Sequence, residues 1–144
     1  MTFDVEPVLV EGRIRIPYRW PAGRHGDRFL RALRDEGRLL GLRCPRSGRV
    51  LVPPPPDRPG RTIVEADWVE VGPGGVVETF TVRGDEVLAL VRLDGADTAL
   101  LHRLVDLEPS SVRVGLRVRA AFAPERTGSI LDLRGFAPDR EAAS

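Results

Sequence analysis

Apolar and polar positions along this chain change their period twice. The first stretch, "VLVEGRIRIPY" (8–18), alternates Ile14 and Ile16 against Arg13 and Arg15 around a Glu11-Gly12 turn, which predicts a short hairpin or arm. The second, "GDRFLRALRDEGRLLGLRC" (26–44), places Phe29, Leu30 and Leu33 at helical spacing. Asp27 stands where an N-cap belongs and Gly37 where a helix-ending glycine belongs, so one short helix is expected. Its apolar stripe needs a partner, and the strand-like "RLLGLR" (38–43) follows directly.

From about Thr62 the pattern shortens. "ADWVEV", "GVVETFTV", "EVLALVRL", "TALLHRLV", "VRVGLRVRAAF" and "SILDLRGF" have strand length and are separated by Gly, Pro, Asp or Ser. The clearest runs from Val112 to Phe122. There Val112, Val114, Leu116, Val118, Ala120 and Phe122 share one face, and Arg113, Arg117 and Arg119 share the other. Five or six such strands without an intervening helix predict a small closed or partly open barrel of OB type rather than a parallel α/β sheet. The fold class expected is therefore mainly β, with one short N-terminal helix.

Length and composition narrow this little. A chain of 144 residues, 42% hydrophobic and 30% charged, builds one ordinary core. No apolar run approaches the roughly 20 residues of a membrane span, and the start Met1-Thr2-Phe3-Asp4 is not a secretory signal, so a cytoplasmic protein is expected. A single cysteine permits no internal disulfide. Charge is more informative by position. Residues 1–61 carry 13 Arg against 7 acids and residues 62–144 carry 9 against 14, giving +6 and −5. All 22 basic residues are Arg, an excess that fits a GC-rich genome as well as any guanidinium chemistry.

Residue chemistry offers few catalytic candidates. Cys44 has Arg43 and Arg46 beside it but no Cys/His/Asn pattern to make it a nucleophile. His102 falls with Leu100 and Leu104 on one face of "ALLHRL", as a packed histidine would, and His25 falls in a Gly-flanked loop, where it would be solvated. Asp94 and Asp97 flank Gly95 in "LDGADT", which reads as a hairpin turn before it reads as a carboxylate pair. "VGPGG" has no following Lys or helix and is no phosphate loop. Single-stranded nucleic acid would use aromatic platforms beside basic residues. The stretch holding Trp68, Phe80, Phe122 and Phe136 is net acidic, which argues against it.

The ordered set "GRLLGLRCP", "VPPPP", "WVEVGPGGVVETFTV", "LDGADTALLHRL", "VGLRVRAAF" and "GSILDLRGFAP" resembles the zinc-ribbon/OB-fold acyl-CoA-associated proteins of the DUF35 family, over about residues 8–138. That resemblance implies an N-terminal arm and helix (1–42), a rubredoxin-like zinc ribbon (43–61), an OB barrel (62–138) and a flexible tail (139–144). On the family's ribbon pattern the first ligand falls on Cys44, the second on Ser47 and the last two on Arg58 and Arg61. One thiol, one hydroxyl and two cations cannot bind zinc, so a metal-free relic is expected. Six prolines between 45 and 59 would stiffen it.

The resemblance further implies a non-catalytic accessory subunit that docks on a thiolase-superfamily enzyme, a thiolase or a steroid/acyl-CoA aldolase, and helps form its acyl-CoA site. Acyl-CoA would then be the ligand of the complex, faced by Arg43, Arg46, Arg58 and Arg61, and no cofactor or membrane would be involved. The competing expectation is an autonomous ligand-binding or enzymatic barrel using Asp97 and His102.

Overall fold

The computed structural model describes residues 4–141. Residues 4–22 form no helix or strand and are exposed throughout, so of the hairpin or arm expected there the structure has the arm. Helix α1 (Gly23–Arg31) follows and continues through a wider π-type turn, Ala32–Glu36, to Gly37 in the left-handed conformation (φ 59°). Asp27 is not the N-cap; Ala22 holds that place, and Asp27 instead accepts a hydrogen bond from Arg31 one turn on, at 2.7 Å. Phe29 and Leu33 are buried as the stripe requires.

Three strands form a small sheet: β1 (Leu39–Arg43), β2 (Val50–Leu51) and β3 (Trp68–Val71), in the order β2-β1-β3, all antiparallel. Here the sequence reading needs correction, because Trp68–Val71 was expected in the barrel and joins the ribbon sheet. The barrel consists of β4 (Gly74–Arg83), β5 (Glu86–Leu93), β6 (Ala99–Leu104), β7 (Arg117–Phe122) and β8 (Leu133–Pro138), closed in the order β4-β5-β6-β8-β7.

The long strand expected from Val112 is also shorter than predicted. Gly115 adopts φ 89°, its N–H bonds Val77 O at 2.8 Å, and the chain turns before β7 begins. Val114 is consequently exposed, whereas Val112 and Val118 keep the core face. The tail expected after Pro138 is described to residue 141, with the Asp139 N–H bonded to Arg117 O at 3.0 Å; residues 142–144 lie outside the described residues.

Barrel closure depends on one near contact. At Gly135 an added Cβ would stand 2.9 Å from Arg103 O and 2.7 Å from a Val105 methyl, so only glycine lets β8 lie this close to β6. Helix, ribbon sheet and barrel share one core, in which Leu33, Leu39, Val52 and Val71 continue into Val77, Val91, Leu93, Val118, Leu133 and Phe136.

Two side chains join ribbon to barrel. The Asp97 carboxylate accepts the Val50 N–H at 2.8 Å while the Asp97 N–H bonds Val50 O at 2.9 Å. One residue on, Thr98 Oγ1 accepts the Val52 N–H at 2.8 Å and donates to Val52 O at 3.0 Å. The turn between β5 and β6 thus pairs with the outer edge of the ribbon much as another strand would.

His102 and Asp132 are the polar groups buried in the barrel wall. His102 is 8% exposed, accepts the Arg103 N–H on Nδ1 (2.9 Å) and so carries its proton on Nε2, 3.4 Å from Ile130 O; its ring meets Phe136 edge-on. Burial, helped by the Arg103 charge, pushes its pKa below the ordinary value, against the pull of the Ile130 carbonyl. Burial acts to raise the Asp132 pKa, but the N–H groups of Thr127, Gly128 and Ser129 and the Thr127 hydroxyl outweigh it and hold the carboxyl low.

Two outcomes are expected. Thr98→Val, which keeps the shape but loses both Val52 bonds, lowers stability by about 1–2 kcal/mol. Hydrogen exchange then speeds up at Val50 and Val52 and not at Val91; unchanged protection at Val52 would refute the bridge. Because the folded His102 pKa lies below its unfolded value, the unfolded chain binds the extra proton. Stability from this group is therefore complete above about pH 6.5 and declines as the pH falls. Urea midpoints at pH 7.5 and 5.5 are expected to differ less in His102→Phe than in the unaltered chain, while the depressed Asp132 contributes its loss only below about pH 4.

Candidate functional site

The relic ribbon and the start of α1 form the most chemically distinctive surface. The Cys44 N–H bonds Arg49 O and the Gly48 N–H bonds Cys44 O, both at 2.8 Å, closing a knuckle over residues 45–47. Cys44, Arg58 and Arg61 line one recess with Arg43, His25, Pro55, Pro56 and Ile63. The Cys44 thiol is brought down to about 7, chiefly by the Ser47 hydroxyl, then by the N–H groups of Ser47 and Arg46, with a further contribution from the Arg61 charge. All four relic positions therefore meet.

Their chemistry does not fit zinc. Among the described residues no three His, Cys, Asp or Glu side chains converge as a metal site requires, and the two guanidiniums would repel a cation. The frame is held by other means, of which His25 is one.

His25 is not a solvated loop residue, as its glycine neighbours suggested. It lies on α1, is 7% exposed, and donates from Nδ1 to Pro55 O at 2.7 Å, tying the helix to the proline-rich return. Its Nε2 stands 3.8 Å from Asp57 Oδ1, and its ring meets Trp68 edge-on at 5.9 Å. Arg24 adds a second tie, to Asp57 at 2.9 Å. The turn-by-turn spacing of His25, Phe29 and Leu33 was the available signal, since i, i+4 and i+8 share a helix face.

Beside His25 opens a cleft of about 280 Å³, walled by Arg24, Arg28, Asp57, Arg61 and Ile63 with Trp68 at its side. Arg24 and Arg28 are neutralised, by Asp57 and by Glu65 with Glu36. Arg43, Arg46, Arg58 and Arg61 form no ion pair among the described residues. Four unneutralised cations thus lie near Cys44 on one surface, where an anion would find them.

Among the described residues no nucleophile and base are paired there. Cys44 takes its hydrogen bonds from Ser47 and Arg46, and His25 is turned toward Pro55 and Asp57. The barrel pair proposed from sequence is likewise divided. Asp97 is occupied at the ribbon joint and His102 in the barrel wall. Asp94, the other carboxylate of that turn, chelates Arg117 through two bonds of 2.9 and 2.7 Å, which keeps its pKa low. Phe136 is core and Phe80 and Phe122 pack against it, so none stands as a stacking platform. No helix among the described residues is long and apolar enough to cross a membrane.

Comparison with known proteins agrees with this architecture. Residues 68–123 match the family model described as the ChsH2 C-terminal OB-fold domain. No curated protein matches the chain. A solved structure described as the Ltp2-ChsH2(DUF35) aldolase has a chain similar in fold, with 23% identity and a TM-score of 0.57 over 83% of this chain and 98% of that one. A DUF35-family protein of unknown function from Sulfolobus solfataricus is similar at 18% identity and a TM-score of 0.59, over 81% of this chain and 87% of that one. The family model covers the OB domain, and the two structures extend the likeness in fold over most of the chain.

Proposed function

We propose that this chain is a non-catalytic accessory subunit that docks on a thiolase-superfamily enzyme, a thiolase or a steroid/acyl-CoA aldolase, and helps form its acyl-CoA site. The observation that carries the reading is the likeness in fold to a chain of the Ltp2-ChsH2(DUF35) aldolase, extending over 98% of that chain. The site chemistry supports it. Arg43, Arg58 and Arg61, cations with no carboxylate partner among the described residues, edge a recess of about 20 Å³ that is too small for CoA itself but offers its phosphates a cationic rim. The outer barrel face, where Leu101 and Leu131 are exposed beside Ile130, offers apolar area for the enzyme.

The test is to tag the chain in its source organism and identify what co-purifies at stoichiometric yield. A thiolase-superfamily protein is the expected partner; a lone monomer carrying a small molecule would favour the autonomous barrel instead. In the assembled complex, Arg58→Ala with Arg61→Ala is expected to raise KM for acyl-CoA about tenfold with kcat little changed, because binding common to ground and transition states is lost. An unchanged KM would remove these arginines from the site.

A further inference from the structure

The N-terminal arm carries more exposed apolar surface than any element of the folded body. Val5, Val8, Leu9, Val10, Ile14, Ile16, Tyr18 and Trp20 are all exposed, Leu9 at 89% and Trp20 at 81%. Large apolar side chains gathered in one segment and left in water mark an interaction site.

The order of the residues says what kind. From 13 to 20 the even positions are Ile14, Ile16, Tyr18 and Trp20, and the odd ones are Arg13, Arg15, Pro17 and Arg19. As a β-strand this segment would extend about 26 Å at roughly 3.3 Å per residue, with an apolar face and a face of three arginines. Backbone groups of successive residues point to opposite edges of a strand, so those of every second residue share one edge. The only missing N–H, at Pro17, is on the odd edge, so the even edge keeps every donor and acceptor available for pairing.

We propose, resting on the accessory-subunit reading above, that residues 13–20 add as a strand to an exposed sheet edge of the partner enzyme. The even edge is hydrogen-bonded, Ile14, Ile16, Tyr18 and Trp20 are seated in apolar recesses, and Arg13, Arg15 and Arg19 face carboxylates or solvent. A second copy of this chain offers a poorer edge. The outer edge of Val50–Leu51 is closed by Asp97 and Thr98, Trp68–Val71 is four residues long, and β4 lacks a neighbour on its β7 side only past Val77, a stretch shorter than the arm segment. The seam between β6 and β8, paired only at Leu104 and Phe136, is covered by Ile130 against His102. A bilayer cannot supply it either, because a lone strand there would leave its backbone groups unpaired.

The experiment uses the full chain and the protein it captures from the source organism, identified by mass spectrometry and then produced recombinantly. A photo-crosslinking residue placed at Tyr18 is expected to react with a strand of a thiolase-superfamily partner. Ile14→Asp with Ile16→Asp is expected to weaken capture by at least about tenfold. Its circular dichroism and melting temperature stay unchanged, since the altered side chains are exposed. Capture of that partner at equal strength by the double variant overturns the arm's role and leaves the accessory reading standing. Failure of the unaltered chain to capture any such protein overturns both. Crosslinking to a second copy, or to phosphatidylglycerol vesicles in place of the partner, overturns the strand-addition proposal alone.

Discussion

The ribbon of this protein keeps its shape because a turn of the barrel supplies hydrogen bonds to its outer strand. A strand of two residues, Val50–Leu51, has one neighbour in the sheet and would otherwise leave its far edge open. Asp97 and Thr98 close that edge with four bonds to Val50 and Val52, three of them made by side chains in the place of a backbone amide or carbonyl. The barrel thus ties this segment from outside, and on the helix side His25 and Arg24 hold Pro55 and Asp57. Six prolines reduce the freedom that these few bonds must overcome.

The same arrangement explains which parts of the fold could be read from the sequence. Period and punctuation located α1, β1, β4, β5, β6 and the closing strand, because each buries one face and ends at a turn residue. They misplaced Trp68–Val71, since local pattern does not tell a strand which sheet to join. They overextended the strand from Val112, because Gly115 can continue an alternating pattern or break it, and the bond to Val77 O that decides is long-range. Asp97 was legible as a turn residue, but not its second role, which depends on a strand 47 residues away.

The candidate site was legible only in part. Cys44, Ser47, Arg58 and Arg61, singled out together from the sequence, are brought near one another by the fold. His25 and Trp68 were missed as neighbours of that surface. One was assigned to a loop and the other to a barrel, so nothing in the linear pattern linked them. Which arginines are free was likewise beyond sequence. Arg24 and Arg28 look equivalent to Arg58 and Arg61 until the carboxylates of Asp57, Glu65 and Glu36 are placed beside them.

Arginine as the sole basic side chain gives the recess around Cys44 a particular resistance. Lysine amines accept acyl groups, losing their charge in doing so, whereas guanidinium stays protonated and is a poor acyl acceptor. The chain has no lysine, so the cationic rim formed by Arg43, Arg58 and Arg61 holds no amine that acylation could neutralise.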